Sequence, residues 1–220
     1  MPVGDVSETE GRPRIVSHGD RQRREIALTF DDGPSRWTAE IAAVFEKHRC
    51  HATFFLRGPA VDERPEEVAA LAAAGHELGN HLWSHSDSVT LSRDELRTEL
   101  IRTAEAIRKA GGKWPDMVRP PYLTGPEEVA DAASGCGVRT VALASIGGGD
   151  WTAGSAEAIF EPVLAAVGPG DIVCLHDGIS PDRPATDSRE PTAAAVKQLV
   201  PALLERGLRP VTVSELVGKR

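Results

Sequence analysis

A buried-strand run that ends in two adjacent carboxylates and a Gly-Pro turn constrains this chain more than any other feature. Ile26-Ala27-Leu28-Thr29-Phe30 has strand composition, and Asp31-Asp32 follow it directly before Gly33-Pro34 forces the backbone out of the strand. Similar runs recur at residues 51–56, 77–79, 117–119, 139–143, 171–175 and 210–213. Between them lie helical patterns. Residues 39–49 carry Ile41, Val44 and Phe45 at helical spacing, and residues 65–75 have Pro65 at the start and Gly75 after the end. Ser92 and Glu95 fit a capping box opening a helix to about 110, and further helices are expected at 127–134, 155–167 and 192–206. Strands alternating with helices imply a parallel α/β fold, as a barrel or an open sheet. Such folds place their chemistry at the C-terminal ends of strands, which is where the two acids stand.

The remaining segments divide the chain simply. Residues 1–24 read as an N-terminal arm with room for a short edge element, and residues 25–220 as a single domain. Residues 177–191, rich in Asp, Pro, Ser and Arg, read as one long loop. A chain of 220 residues with 40% hydrophobic content is long enough for one well-buried domain. Its net charge of -8 argues against nucleic acid as a partner. Arg21-Gln22-Arg23-Arg24 reads as a solvated charge cluster before the first long strand. No stretch has the apolar length of a membrane span, so no membrane partner is expected. The first residues lack the apolar core of a signal peptide, which makes the cytoplasm the expected location unless a leader has been removed. The three cysteines, Cys50, Cys136 and Cys174, are odd in number and widely spaced; they resemble neither a disulfide framework nor a zinc ribbon. The oligomeric state is left open.

Adjacent acids repel each other. The pair makes chemical sense if one carboxylate binds a cation and the other moves a proton beside it. His81 and His85 supply further ligands: on a helical turn, positions four apart share a face, and both imidazoles could reach one ion. One carboxylate and two histidines leave coordination positions open, as catalytic sites do. Mixed nitrogen and oxygen donors suit zinc, cobalt, nickel or iron better than magnesium or calcium. Non-haem iron oxygenases use the same ligand set, but they have no evident use for a second carboxylate beside it. His176, in Leu175-His176-Asp177-Gly178, and Arg119, in Arg119-Pro120-Pro121-Tyr122, fall at the ends of two other strands.

These motifs in order resemble those of the polysaccharide deacetylases, also called family 4 carbohydrate esterases or the chitooligosaccharide-deacetylase homology domain. The motifs are Thr29 to Pro34, His81 to His85, Arg119 to Tyr122, Asp150-Trp151 and Leu175-His176-Asp177, and the likeness runs from about Arg24 to Leu216. The resemblance implies a distorted (β/α) barrel with fewer than eight complete strands. It implies Asp32, His81 and His85 as ligands of a divalent metal, zinc with cobalt or nickel as alternatives. It implies Asp31 as general base on a metal-bound water, held in place by Arg119, and His176 as the acid that protonates the leaving amine, oriented by Asp150. A backbone N–H near Tyr122 would help to stabilise the oxyanion, and Trp151 and Leu175 would line the acetyl-methyl pocket. The implied activity is removal of N-linked acetyl from an aminosugar, a chitooligosaccharide or a related N-acetylated compound. The alternatives are an O-acetyl esterase, a deacylase of a non-sugar small molecule, and a sugar-binding homologue without activity.

Three departures from the family pattern stand out. Gly147-Gly148-Gly149 precedes Asp150 where a second acid is usual, Leu123 replaces a glycine after Tyr122, and Ser86 replaces a proline after His85. With few aromatic residues to form a long sugar platform, they point to a substrate other than a typical polymer.

Overall fold

The computed structural model describes residues 11–183 and 187–218. Residues 1–10 of the expected arm and 184–186 of the expected long loop lie outside the described residues. The first half of the chain runs β1 (Arg14–Val16), β2 (Glu25–Asp31), α1 (Thr38–Lys47), β3 (Thr53–Leu56), α2 (Gly58–Glu63), α3 (Pro65–Ala73), β4 (Glu77–Asn80) and α4 (Arg93–Lys109). The second half runs β5 (Met117–Val118), α5 (Pro126–Ala133), β6 (Thr140–Ala142), β7 (Ile146–Gly147), α6 (Glu157–Ala166), β8 (Ile172–His176), α7 (Glu190–Glu205), β9 (Arg209–Pro210) and α8 (Val213–Val217).

All ladder pairings are parallel, in the order β1-β6-β5-β4-β3-β2-β8-β7, with β9 paired to the start of β2. Residues 14–16 of the arm thus form an edge strand of the sheet. The two edges of this order come close in space. Leu143 donates its N–H to Val16 of β1, while Ser145, two residues on, donates to Ile172 of β8. Two residues span at most about 7 Å, so the sheet must curl until its edges almost meet. The result is a distorted barrel, open where β1 and β7 do not pair.

Side-chain alternation along the strands sets the two sides of this wall. Ile26, Leu28 and Phe30 of β2 point outward and pack with Phe45 of α1 and with Leu199 and Leu203 of α7. Fully burying a side chain of this size stabilises by about 1.5–3 kcal/mol. Ala27 points inward with Phe55, Met117, Ala142 and Ile172, forming a smaller inner core. Leu96 and Leu100 of α4 pack with Val129 and Ala133 of α5 over β5 and β6.

Local signals explain most element boundaries. Ser92 and Glu95 form the expected capping box at the start of α4. At the C-terminus the strand expected at residues 210–213 is cut to Arg209–Pro210, because Thr212 and Glu215 form a second capping box that starts α8. The cap takes the Thr212 N–H, while Val211 still donates to Ile26 of β2 and Val213 to the Thr53 hydroxyl.

Candidate metal centre and active-site cleft

Four strand ends converge on a cleft of about 420 Å³ at the C-terminal edge of the sheet, lined by Asp31, Asp32, His81, His85 and His176 among others. Asp31 follows the inward face of β2, two residues after Thr29. Its carboxylate accepts a hydrogen bond from Arg119 Nη1 at 2.8 Å, and the same nitrogen donates to Thr29 Oγ1 at 2.6 Å. Arg119 is fully buried; it also donates to the carbonyls of Ala142 and Leu143, and it lies 4.1 Å from the centre of the Phe55 ring. A buried guanidinium is tolerable only with its donors satisfied, and here the ends of two strands and one carboxylate satisfy them. Burial alone would push the Asp31 carboxyl up, but Arg119, His81 and His176 outweigh it and hold Asp31 below the usual carboxylate range.

Asp32 turns the other way. It has φ 73°, in the left-handed region, and leads into a cis Gly33-Pro34 peptide. Space at this turn is tight: a Cβ on Gly33 would lie 2.2 Å from the Asp177 carboxylate, and one on Gly178 would lie 2.3 Å from Asp32 backbone atoms. Only glycine fits at either position. The turn points Asp32 Oδ1 at two imidazoles, 3.8 Å from His81 Nε2 and 3.2 Å from His85 Nε2. His81 donates from Nδ1 to the Arg119 carbonyl at 2.8 Å, which leaves its Nε2 lone pair facing the acid.

The expected helical turn from His81 to His85 is not there. Leu82 and His85 have φ 60° and 63°, so the segment is an irregular loop. Asn80 Oδ1 accepts the Leu82 N–H, and the Glu99 carboxylate accepts those of Trp83 and Ser84 at 2.8 and 2.7 Å. These side-chain acceptors replace helical hydrogen bonds and still bring both rings to one point, 5.2 Å apart between centres.

The donor set fits a divalent metal on three observations. One oxygen of Asp32 and one nitrogen of each histidine lie within 4.8 Å of one another. Asp32 Oδ1 is buried without a hydrogen-bond donor. Burial pushes His85 down to about 4, so at neutral pH its imidazole is neutral and offers a lone pair instead of a compensating charge.

His176 ends β8, the strand paired with β2, and stands directly beside Asp31 in the register. Its Nδ1 donates to Asp150 Oδ1 at 2.9 Å, and its own backbone N–H and the Thr192 hydroxyl donate to Asp150 Oδ2 at 2.7 and 2.9 Å. Nε2 is thereby left towards the cleft. Burial lowers the imidazolium's stability, but Asp150, with smaller help from Asp31 and Asp32, outweighs it and raises the pKa to about 9. The ends of these two paired strands thus hold an ionised carboxylate and a protonated imidazole side by side at neutral pH.

Tyr122 and Trp151 lie at the rim, 51% and 44% exposed, and their rings face His85 and His176 at 4.8 and 5.6 Å. Tyr122 and Leu123 both have positive φ, 56° and 59°, and both line the cleft. Leu175 is not part of this lining. Residues two apart on a strand share a face, so the neighbour of His176 on the inner side is Cys174, whose thiol lies 3.4 Å from Asp31 Oδ2. Leu175 points outward into the helix-facing core. Ser180, Asp182, Arg183 and Arg189 also line the cleft. They come from the segment read only as a long loop, where no periodicity marks a side chain as facing the site. The Thr192 hydroxyl on Asp150 and the carboxylate of Glu99 were equally hidden, since both act on residues distant in sequence.

Fold and site together define a class: a curled parallel α/β protein with a candidate Asp-His-His metal centre and, beside it, a separate carboxylate and imidazole on adjacent strand ends. The family model described as polysaccharide deacetylase matches residues 18–141. The chain is 37% identical to a chitooligosaccharide deacetylase of Sinorhizobium fredii over 202 residues, covering 88% of this chain and 92% of that protein. It is 32% identical to a peptidoglycan-N-acetylglucosamine deacetylase of Bacillus cereus, over 90% of this chain and 70% of the relative. A crystal structure of a peptidoglycan N-acetylglucosamine deacetylase superposes with TM-score 0.83 at 30% identity, covering 92% of each chain. A CE4 family pseudoenzyme from Bacillus anthracis superposes equally well, with TM-score 0.83 at 25% identity over 94% of this chain and 69% of that one. The chain belongs to the polysaccharide deacetylase family.

Proposed function

We propose that this protein is a metal-dependent deacetylase that hydrolyses the N-acetyl group of an aminosugar within a chitooligosaccharide or related saccharide. Because the same fold also carries a pseudoenzyme, the reading rests on the site. The observation that carries it is the division of labour between the adjacent acids: Asp31 is bonded to Arg119, whereas Asp32 Oδ1 faces two imidazole nitrogens without a proton donor.

Asp32, His81 and His85 would hold the metal, and zinc suits one carboxylate and two neutral imidazoles. When bound, such an ion supplies a water acidic enough to be deprotonated near neutral pH and withdraws charge from the acetamide carbonyl. Asp31, kept ionised by Arg119, accepts the proton from the attacking water. His176, kept protonated by Asp150, delivers the proton on Nε2 to the departing amine nitrogen, without which the C–N bond would break to a poor leaving group. Tyr122 and Trp151 offer rings at the rim for sugar faces.

The test is acetate release by purified, zinc-loaded protein from chitotetraose, polymeric chitin, monomeric N-acetylglucosamine and O-acetylated xylan. Turnover of chitotetraose that disappears with a chelator and returns with zinc is expected. Acetate released from acetylated xylan but from none of the N-acetyl compounds would overturn the reading in favour of an esterase.

A further inference from the structure

A second depression opens from the catalytic cleft. It is a groove of about 650 Å³ that shares Asp32, Ser180 and Arg183 with the cleft. Four arginines line it, Arg36, Arg57, Arg64 and Arg183, against three acids, Asp32, Glu63 and Asp187, in a chain of net charge -8. Two of them are committed: Arg64 pairs with Glu67 and Arg183 with Asp187, each at 2.9 Å. The other two have no carboxylate partner among the described residues.

Arg57 directly follows β3, so it stands on the same C-terminal edge as the metal acids. Its backbone N–H donates to Gly33 O at 3.0 Å, which fixes it beside the Asp-Asp-Gly-Pro turn. Its side-chain Nε is buried and has no hydrogen-bond acceptor. Arg36 lies with its guanidinium 4.3 Å from the centre of the Trp37 ring, which restricts its motion without using its in-plane donors. The acids of the groove do not neutralise this pair: Asp32 faces the two histidines, Asp187 is held by Arg183, and Glu63 is exposed. A buried guanidinium N–H without an acceptor is unfavourable, and a bound oxyanion is the chemistry that relieves it.

We propose that this groove is an anion subsite, and that the protein prefers N-acetylated saccharides in which a residue near the acetamido sugar carries a carboxylate or sulfate. Arg57 offers a planar fork to the oxyanion, and Arg36 supplies a second charge held on the indole. The preference for acidic substrates rests on the deacetylase reading; the subsite itself does not.

Two measurements keep these apart. The first is calorimetric binding of tetragalacturonate, which has no acetamide, to the zinc-loaded protein. Arg57→Ala should weaken it about tenfold, Arg36→Ala less, and Arg57→Lys should fall between wild type and Arg57→Ala, because a lysine keeps the charge but not the fork. High salt should weaken wild-type binding and shrink these differences. Equal affinity of wild type and Arg57→Ala would overturn the subsite. The second is the ratio of kcat/KM for acetate release from an N-acetylglucosamine–glucuronate tetrasaccharide to that from chitotetraose, with 6-O-sulfated chitotetraose as the sulfate arm. The wild-type ratio should exceed one for at least one acidic substrate and fall about tenfold in Arg57→Ala. A ratio that Arg57→Ala does not move sinks the proposal. Arg57-dependent binding without hydrolysis of any acetamide would sink the deacetylase reading and leave the subsite standing.

Discussion

Replacing Asp150 by Asn tests the electrostatic half of the mechanism. Asp150 accepts three hydrogen bonds, two of them from His176, and its charge is the chief influence that raises the imidazole to about 9 against burial. Relative to the ordinary value of 6.5, that corresponds to about 3 kcal/mol of preference for the imidazolium. Asparagine keeps the shape and one acceptor oxygen but removes the charge. Burial then acts unopposed by Asp150, and the pKa of His176 should fall to or below its ordinary value. At about pH 8 a group with pKa about 9 is roughly nine-tenths protonated, whereas one at 6.5 is about 3% protonated, so the acid is depleted about thirtyfold. Because a bound cation also repels the imidazolium, the titration is best read by imidazole NMR on chelator-treated protein, with the pH–rate profile of the zinc-loaded enzyme as the second measurement. The alkaline limb of that profile should move to lower pH in Asp150→Asn, and the rate deficit should narrow as pH is lowered. The stability linkage has the same sign. A folded pKa raised from 6.5 to about 9 contributes stability fully present below about 6.5 and lost as pH rises through about 9, and that alkaline loss should vanish in the variant. An unchanged His176 titration in Asp150→Asn would refute the assignment of Asp150 as the source of the shift.

Three further outcomes are expected. Asp31→Asn should retain zinc, measured by metal analysis after gel filtration, while lowering kcat by about 10²–10⁴-fold; near-wild-type turnover would rule out Asp31 as the base. Arg119→Leu should destabilise by about 3–5 kcal/mol in urea unfolding, because it leaves the buried Asp31 carboxylate without its guanidinium; a loss of under about 1 kcal/mol would show that the pair is not structural. His76, packed against Phe45 and Phe54, accepts the Ala52 N–H on Nδ1, and burial lowers it to about 4. A depressed histidine contributes stability that is complete above about 6.5 and lost as pH falls through about 4. His76→Phe should therefore flatten the acid side of the stability–pH curve, and an unchanged slope there would contradict the buried neutral state.

Much of the architecture was legible in the amino-acid sequence because its signals are local. Apolar runs cut by Gly and Pro marked most of the strands, the Ser92…Glu95 pair marked the start of α4, and the alternation implied parallel pairing. The short elements escaped for the same reason. β7 is two residues long, and α8 depends on a Thr212…Glu215 capping box inside a β-branched run. The ligand residues could be named from the sequence, but their presentation could not. The histidine spacing is that of a helical turn, whereas two left-handed residues and the carboxylate of Glu99 build a loop that brings the rings together by another route.

What the chain determines by itself is therefore the set of reactive groups and the strand ends that carry them. Alternation along β2 alone separates the inward Asp31 from the outward Phe30, and the same rule on β8 excludes Leu175 from the cleft and admits Cys174. Tertiary structure decides how those groups are charged and what faces them. Arg119 reaches Asp31 only because the sheet curls until the end of β5 faces the end of β2. Asp150 reaches His176 because the link from β7 folds back over the end of β8. The gathering of four arginines around the groove follows likewise from where the loops come to rest. Burial, opposing charge and hydrogen bonding act over a few ångströms between residues tens to more than a hundred positions apart, and only the folded chain sets those distances.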